Sequence, residues 1–215
     1  MKRFSLLLSL LGAVILSSCA HQEPSKQEKF LAAAPRSILV VPVVNKSVDV
    51  TAADYMLSTV SYPLAEHGFY VFPVNLVKRM LEDDGLADSS LVHSSSTTKL
   101  AALFGADAVL YITIERWDAK YAVISTTVTV GVSYEIRDAK TNSVIWKNQT
   151  EVKYQPNSGG GGGGVGGLLA AVVSAAVAKA APDYMPLARQ ANNQALHPYP
   201  GNGIPPGPYA PKGEK

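Results

Sequence analysis

The chain of 215 residues holds one cysteine, Cys19, and four histidines, His21, His67, His93 and His197. A single thiol cannot close an internal disulfide or build a four-thiolate zinc site. The histidines are scattered, and no pair has the H-x3-H or H-E-x-x-H spacing that brings two imidazoles to one metal. Glu82, Asp83 and Asp84 stand just before Gly85, where a solvated helix end explains them better than a cation site. Gly159 to Gly164 satisfy G-x-G-x-x-G, as any such run does, but no acidic ribose ligand and no Gly-Lys-Ser/Thr follows. That segment reads as a linker. Ser94, Ser95 and Ser96 beside His93 read as a polar loop rather than a nucleophile held against a base, and there is no G-x-S-x-G. The sequence therefore offers no catalytic, metal or cofactor-binding residue, and the expectation is a protein that is not an enzyme.

Cys19 has a context of its own. Lys2 and Arg3 precede an apolar run from Leu6 to Leu16, which is too short for a helical span and suits a signal peptide. The run closes on Leu16, Ser17, Ser18 and Cys19, an order that resembles the lipobox of bacterial lipoproteins. Small residues there let a signal peptidase cut after Ser18. The resemblance implies that the Cys19 sulfur takes a diacylglyceryl group and the freed amine an N-acyl chain, the alternative being an ordinary signal peptide with a chance cysteine. No other cofactor is expected. Each buried CH2 contributes about 0.8 kcal/mol, so three chains hold far more firmly than one. Asp after the cysteine commonly retains such proteins at the inner membrane, and here the residue is Ala20. The expected location is the outer membrane, lipid-anchored in the bilayer and facing the periplasm, with surface exposure as the other option.

Cleavage also settles the charge. The 19 basic and 17 acidic residues become 17 and 17 once Lys2 and Arg3 leave. A neutral chain has no electrostatic footprint for nucleic acid, and none is expected as a partner.

The elements that follow are predicted from periodicity. Residues 19–36 mix Ala, Gln, Glu, Lys, Ser and Pro and read as a lipidated tether, at most roughly 55–60 Å long when extended. Ile38 to Val44 is a continuous apolar run, a strand buried on both faces, with Pro42 marking a bulge or an end. Asp49 or Thr51 can cap a helix with a Met56, Leu57, Val60, Leu64 stripe that Pro63 loosens and Gly68 stops. Phe69 to Val74 is a short strand, and Asn75 caps a helix with stripe Leu76, Val77, Met80 and Leu81, ended by Gly85. Thr97 or Thr98 opens a short helix carrying Leu100, Leu103 and Phe104, ended by Gly105.

Ala106 to Ile114 reads as an interior strand, and Ile124 to Ile136 alternates as a long one. The return strand puts Val144, Trp146, Thr150, Val152 and Tyr154 on one face against Lys147, Gln149, Glu151 and Lys153. A wet face implies an antiparallel meander. The predicted class is α+β, a mainly antiparallel mixed sheet of about five strands with helices on one side. Residues 37–196 form a single domain with a Gly-rich linker at 158–167, and 197–215 a Pro/Gly-rich tail expected to be extended and mobile.

Leu168 to Ala181 is almost wholly Leu, Ala and Val. Its core stretch is too short to span a bilayer, which leaves two readings: an Ala-rich core helix, or a surface through which Leu168, Leu169, Val172, Val173 and Val177 meet a partner or a membrane.

Taken together, "TVSYPLAEHGFYVFPVNLV" from Thr59, "LFGADAVLYITIERW" from Leu103 and "LLAAVVSAAV" from Leu168 resemble a family of bacterial outer-membrane lipoproteins related to a meningococcal surface-antigen candidate and known by a domain of unknown function. The resemblance implies a fold similar to the N-terminal domain of the Tol-Pal translocation protein and to the curli secretion lipoprotein. It implies no biochemical activity. Members are often encoded beside a curli-secretion-like lipoprotein, so the expected partners are other envelope lipoproteins or a pore-forming one, within a structural or assembly complex. Regulation of a peptidoglycan synthase is the first alternative and an undetected periplasmic enzyme the second.

Overall fold

A computed structural model describes residues 26–121, 126–154, 184–197 and 203–211. Six strands and six helices lie among them: α1 (Lys26–Ala33), β1 (Ser37–Val40), β2 (Val44–Asn45), α2 (Ala52–Glu66), β3 (Tyr70–Val71), α3 (Val74–Asp83), α4 (Ser89–Ser94), α5 (Thr97–Phe104), β4 (Ala108–Tyr121), β5 (Thr126–Asp138), β6 (Val144–Tyr154) and α6 (Met185–Leu196). The sheet order is β3-β1-β4-β5-β6, with β2 also paired to β4. Pairs of β4 with β5 and of β5 with β6 are antiparallel, and those of β1 and β2 with β4, and of β1 with β3, are parallel. The α+β class and mainly antiparallel mixed sheet stand as the sequence predicts.

The apolar run from Ile38 to Val44 becomes two strands because Pro42, which cannot donate to a ladder, falls between β1 and β2. This gives six strands where about five are expected. Ile38 and Val40 join the larger core, while Leu39 and Val41 join a second core with Val77, Leu81, Val92 and Leu100. A strand apolar on both faces needs cover on both. Helices therefore pack on both sides of this part of the sheet, α1, α2 and α6 on one and α3, α4 and α5 on the other. The placement of all helices on one side is corrected accordingly. Among the described residues, part of the β4–β6 face is left polar and open.

Strand direction gives the body two ends. Ile38 pairs with Ala108 and Asn45 with Ile114, so β1 and β2 climb β4 from its start toward the β4–β5 hairpin. Helix α2 descends from beside β2 to Gly68, next to β3. Helix α6 descends with it: Tyr184, its N-cap, stacks on Trp117 at 5.1 Å, and His197, its C-cap, lies 4.9 Å from the His67 ring.

Gly68, Gly85 and Gly105 take the left-handed conformations expected of them, at φ 81°, 84° and 71°. Other local expectations change. Pro73, not Asn75, precedes α3, and its buried stripe is Val74, Val77 and Leu81, leaving Leu76 and Met80 exposed. The serine-rich loop is a helix, α4, whose Asp88 cap accepts from Ser90 N–H at 2.7 Å. Ser96 rather than Thr97 or Thr98 caps α5. A register shift opposite Ile136 and Arg137 pairs Val144 with Arg137, and Ile145 takes the buried place instead.

Two larger corrections concern the chain ends. The expected tether contains α1, whose Phe30 is 2% exposed and meets Phe69 edge to face at 5.8 Å. A lone aromatic suffices to dock a short helix, although its sequence shows little periodicity. The expected mobile tail contains a docked strap, residues 203–211. Ile204 is fully buried, Trp146 Nε1 donates to the Gly203 carbonyl at 3.2 Å, and Gly207 N–H and Tyr209 N–H donate to His67 and Gly68 carbonyls. Proline and glycine remove donors and side chains, which lets a backbone lie flat on a core.

Candidate functional site

The uncovered face of β4–β6 forms an open groove of about 600 Å³ beneath α4. Strand alternation aims Tyr111 and Thr113, Ser133, Glu135 and Arg137, and Lys147 and Gln149 toward it. Register sets them in rows: Tyr111, Glu135 and Lys147 lie abreast, then Thr113, Ser133 and Gln149. His93 closes one side from α4 and is fixed by its Nε2–H, which donates to the Pro42 carbonyl at 2.9 Å, and by edge-to-face contact with Tyr111 at 5.1 Å.

Two ion pairs lie in and beside the groove. Arg137 pairs with Glu135 and lies over the Tyr111 ring, 5.3 Å from its centre. Lys46 reaches Glu115 at 2.8 Å, and Ser133 donates to the same carboxylate at 3.1 Å. The Lys46 hydrogen bond holds Glu115 below the usual carboxylate range. Burial lowers the His93 pKa against the upward pull of the Pro42 carbonyl, favouring neutral imidazole. Burial raises the Tyr111 pKa, partly offset by its hydrogen bond with Thr97 at 2.9 Å. The groove thus presents an imidazole bonded to a carbonyl, a phenol bonded to Thr97 and the Arg137–Glu135 pair. No nucleophile is held against a base there.

A second polar constellation lies in the core. Asn192 of α6 is fully buried; its Nδ2 donates to Thr59 Oγ1 at 2.8 Å and the Met56 carbonyl at 3.3 Å, and its Oδ1 accepts from Tyr134 OH at 2.9 Å. Burial raises the Tyr134 pKa strongly. These hydrogen bonds are all made within the protein, so the network fixes α6 on α2 and β5. Periodicity analysis missed it because Asn192 and Asn193 look alike in sequence, and only one of them faces inward. His93 was missed as a groove residue because α4 read as a loop.

Cys19, Ser18, Leu168, Leu169, Val172, Val173 and Val177 lie outside the described residues. The residues that flank 155–183 are informative: Tyr154 ends β6 opposite Val128, and Tyr184 stacks on Trp117, so both sit toward the hairpin end. Among the described residues no group of three or more His, Cys, Asp or Glu could hold a metal, and no helix is long and apolar enough to cross a membrane.

A family described as "Putative lipoprotein GNA1162-like" matches residues 27–209. "Putative lipoprotein NMB1124/NMB1162" of Neisseria meningitidis serogroup B is 32% identical over 205 residues, 94% of this chain and 95% of the relative. The crystal structure of lipoprotein GNA1162 from Neisseria meningitidis resembles this one with a TM-score of 0.56 and 32% identity, over 67% of this chain and 99% of the other. A more distant likeness is the PelC dodecamer from Paraburkholderia phytofirmans, with a TM-score of 0.41 and 21% identity over 58% of this chain and 75% of the other. The LpoB C-terminal domain from Salmonella enterica has a TM-score of 0.40 and 22% identity over 55% and 84%. Likenesses that weak bear on no functional question.

Proposed function

The chain belongs to the GNA1162-like lipoprotein family, and we propose that it is a non-enzymatic component of an envelope assembly, anchored in the outer membrane through lipids on Cys19 and facing the periplasm. The observation that carries this reading is Leu16-Ser17-Ser18-Cys19 followed by Ala20, set only a few residues before a folded body. The body supports docking over catalysis. Its buried polar network is satisfied internally, and its groove offers paired charges and hydrogen-bonding groups without an activated nucleophile. The groove suits a polar protein surface, such as that of a curli-secretion-like lipoprotein.

The shortened tether counts against a peptidoglycan synthase as partner. With α1 docked, the body starts at Lys26 rather than near residue 37, which removes much of the expected reach.

Two measurements test the proposal. A Cys19→Ser variant should lose acyl labelling and leave the outer-membrane fraction; persistence there would sink the anchor. Cross-linking from intact envelopes, through a photoreactive residue at Gln149, should recover another envelope lipoprotein. Recovery of a peptidoglycan synthase alone would replace the proposed assembly role.

A further inference from the structure

We propose that the end of the body formed by α1 and the strap rests on the phospholipid surface that holds Cys19, so that the hairpin end points away from the bilayer. This rests on the lipid-anchor reading and adds an orientation to it.

The first support is chain length. Phe30 is buried and the Ala34 N–H closes on the Phe30 carbonyl at 2.9 Å, so α1 is part of the body and not of the tether. From Cys19 to Lys26 there are seven chain steps, which cover at most about 25 Å whatever conformation they take. The body is longer than that. From Ala108 to Tyr121, β4 alone runs about 40 Å at 3.3 Å per residue.

The second support is what this end displays. Helix α1 exposes Leu31 at 62%, and the strap exposes Pro208, with Tyr209 at 64%. Both elements converge on Phe69: Phe30 meets its ring at 5.8 Å, and a Cβ built on Gly207 would lie 2.9 Å from its ring carbon Cδ1. A leucine and a tyrosine at the end where the described chain begins suit the boundary between acyl chains and headgroups, where an aromatic body with a polar tip is favoured.

The loop after β2, partway toward the hairpin end, also shows apolar residues, Val48 at 97% and Val50 at 86% exposure. Chain length decides between the two. β2, which leads into Val48, pairs with β4 at Thr113 and Ile114, about 20 Å along the strand from Ala108. A body resting on that loop would have α1 lifted by about that distance and the seven-step tether drawn nearly straight. The proposed orientation leaves it slack. It also turns the hairpin end, where residues 155–183 leave and rejoin the body, toward the periplasm.

The test uses the full lipidated chain in vesicles of phosphatidylethanolamine and phosphatidylglycerol containing a headgroup-linked energy acceptor. Single Leu31→Cys, Tyr209→Cys and Val48→Cys variants, all at exposed positions, carry a fluorescent donor; Cys19 is blocked by its own lipid. Transfer from positions 31 and 209 should exceed transfer from position 48 several-fold. Equal or greater transfer from position 48, with acyl labelling of Cys19 intact, overturns the orientation and leaves the anchor standing. Absence of acyl labelling overturns both.

Discussion

Gly68 and Gly207 pass so close that neither can carry a side chain. A Cβ on Gly207 would lie 2.2 Å from the Gly68 carbonyl oxygen, and one on Gly68 would lie 2.0 Å from the Ala210 nitrogen. The two glycines let the strap lie directly on the turn after α2, where Gly207 N–H donates to the His67 carbonyl at 2.7 Å. Gly68 also holds φ at 81°, a conformation that costs an L residue about 1–2 kcal/mol. Gly207→Ala should undock the strap and lower stability by about 2 kcal/mol. Trp146 would lose the Gly203 acceptor. A red-shifted tryptophan emission and early proteolysis within 203–211 are the expected readouts; an unchanged melting temperature and emission would show that the contact is dispensable.

Asn192 should be among the most sensitive polar residues. Asn192→Leu removes three hydrogen bonds; Thr59 Oγ1 keeps the Tyr55 and Met56 carbonyls at 3.0 and 3.1 Å, while Tyr134 OH is left with the Met56 sulfur at 3.9 Å. The expected cost is about 2–4 kcal/mol by denaturant titration. Tyr134→Phe, which removes one donor, should cost about 1 kcal/mol. Because the two share a bond, the double variant should be less destabilised than the sum of the singles; strict additivity would mean the network is not coupled.

Asp107 sets an acid limb of stability. Burial raises its pKa, but hydrogen bonds from Arg36 N–H and from the hydroxyl and N–H of Ser37 outweigh it and hold the carboxyl below its ordinary value of 3.8. A carboxylate lowered in the folded state stabilises fully above its unfolded value, and that contribution is lost as pH falls through the folded one. The difference in urea midpoint between the native chain and Asp107→Asn should therefore be widest near pH 7 and shrink below pH 3.8. A gap independent of pH would assign the effect to packing.

Phe30 holds α1 to the body. Phe30→Ala should remove about 3 kcal/mol of docking energy, since the ring is 2% exposed. Amide protection should fall across residues 26–33 and persist in β4 to β6. Loss of protection throughout would make α1 part of the global folding unit.

Local signals in the sequence were strong where chemistry or backbone geometry leaves a residue no choice. Gly68, Gly85 and Gly105 end helices because only glycine adopts their φ cheaply. Pro42 breaks the first strand because it lacks a donor, and alternation marks the latter half of β5, where Tyr134 and Ile136 are buried and Ser133, Glu135 and Arg137 face the groove. The family was legible for the same reason, since its motifs depend on residue order. Tertiary structure alone decided what depends on distant neighbours. Leu76 and Val77 are adjacent and equally apolar, yet only Val77 meets the second core. Asn192 is inward because α6 lies against Thr59 and Tyr134, residues more than 50 positions away. The groove follows from strand register and the placement of α4, which no local pattern encodes. The two chain ends became part of the body through Phe30 and Ile204, single apolar residues in polar or proline-rich segments, where periodicity has nothing to measure and only the vacant surface of the core can reveal their place.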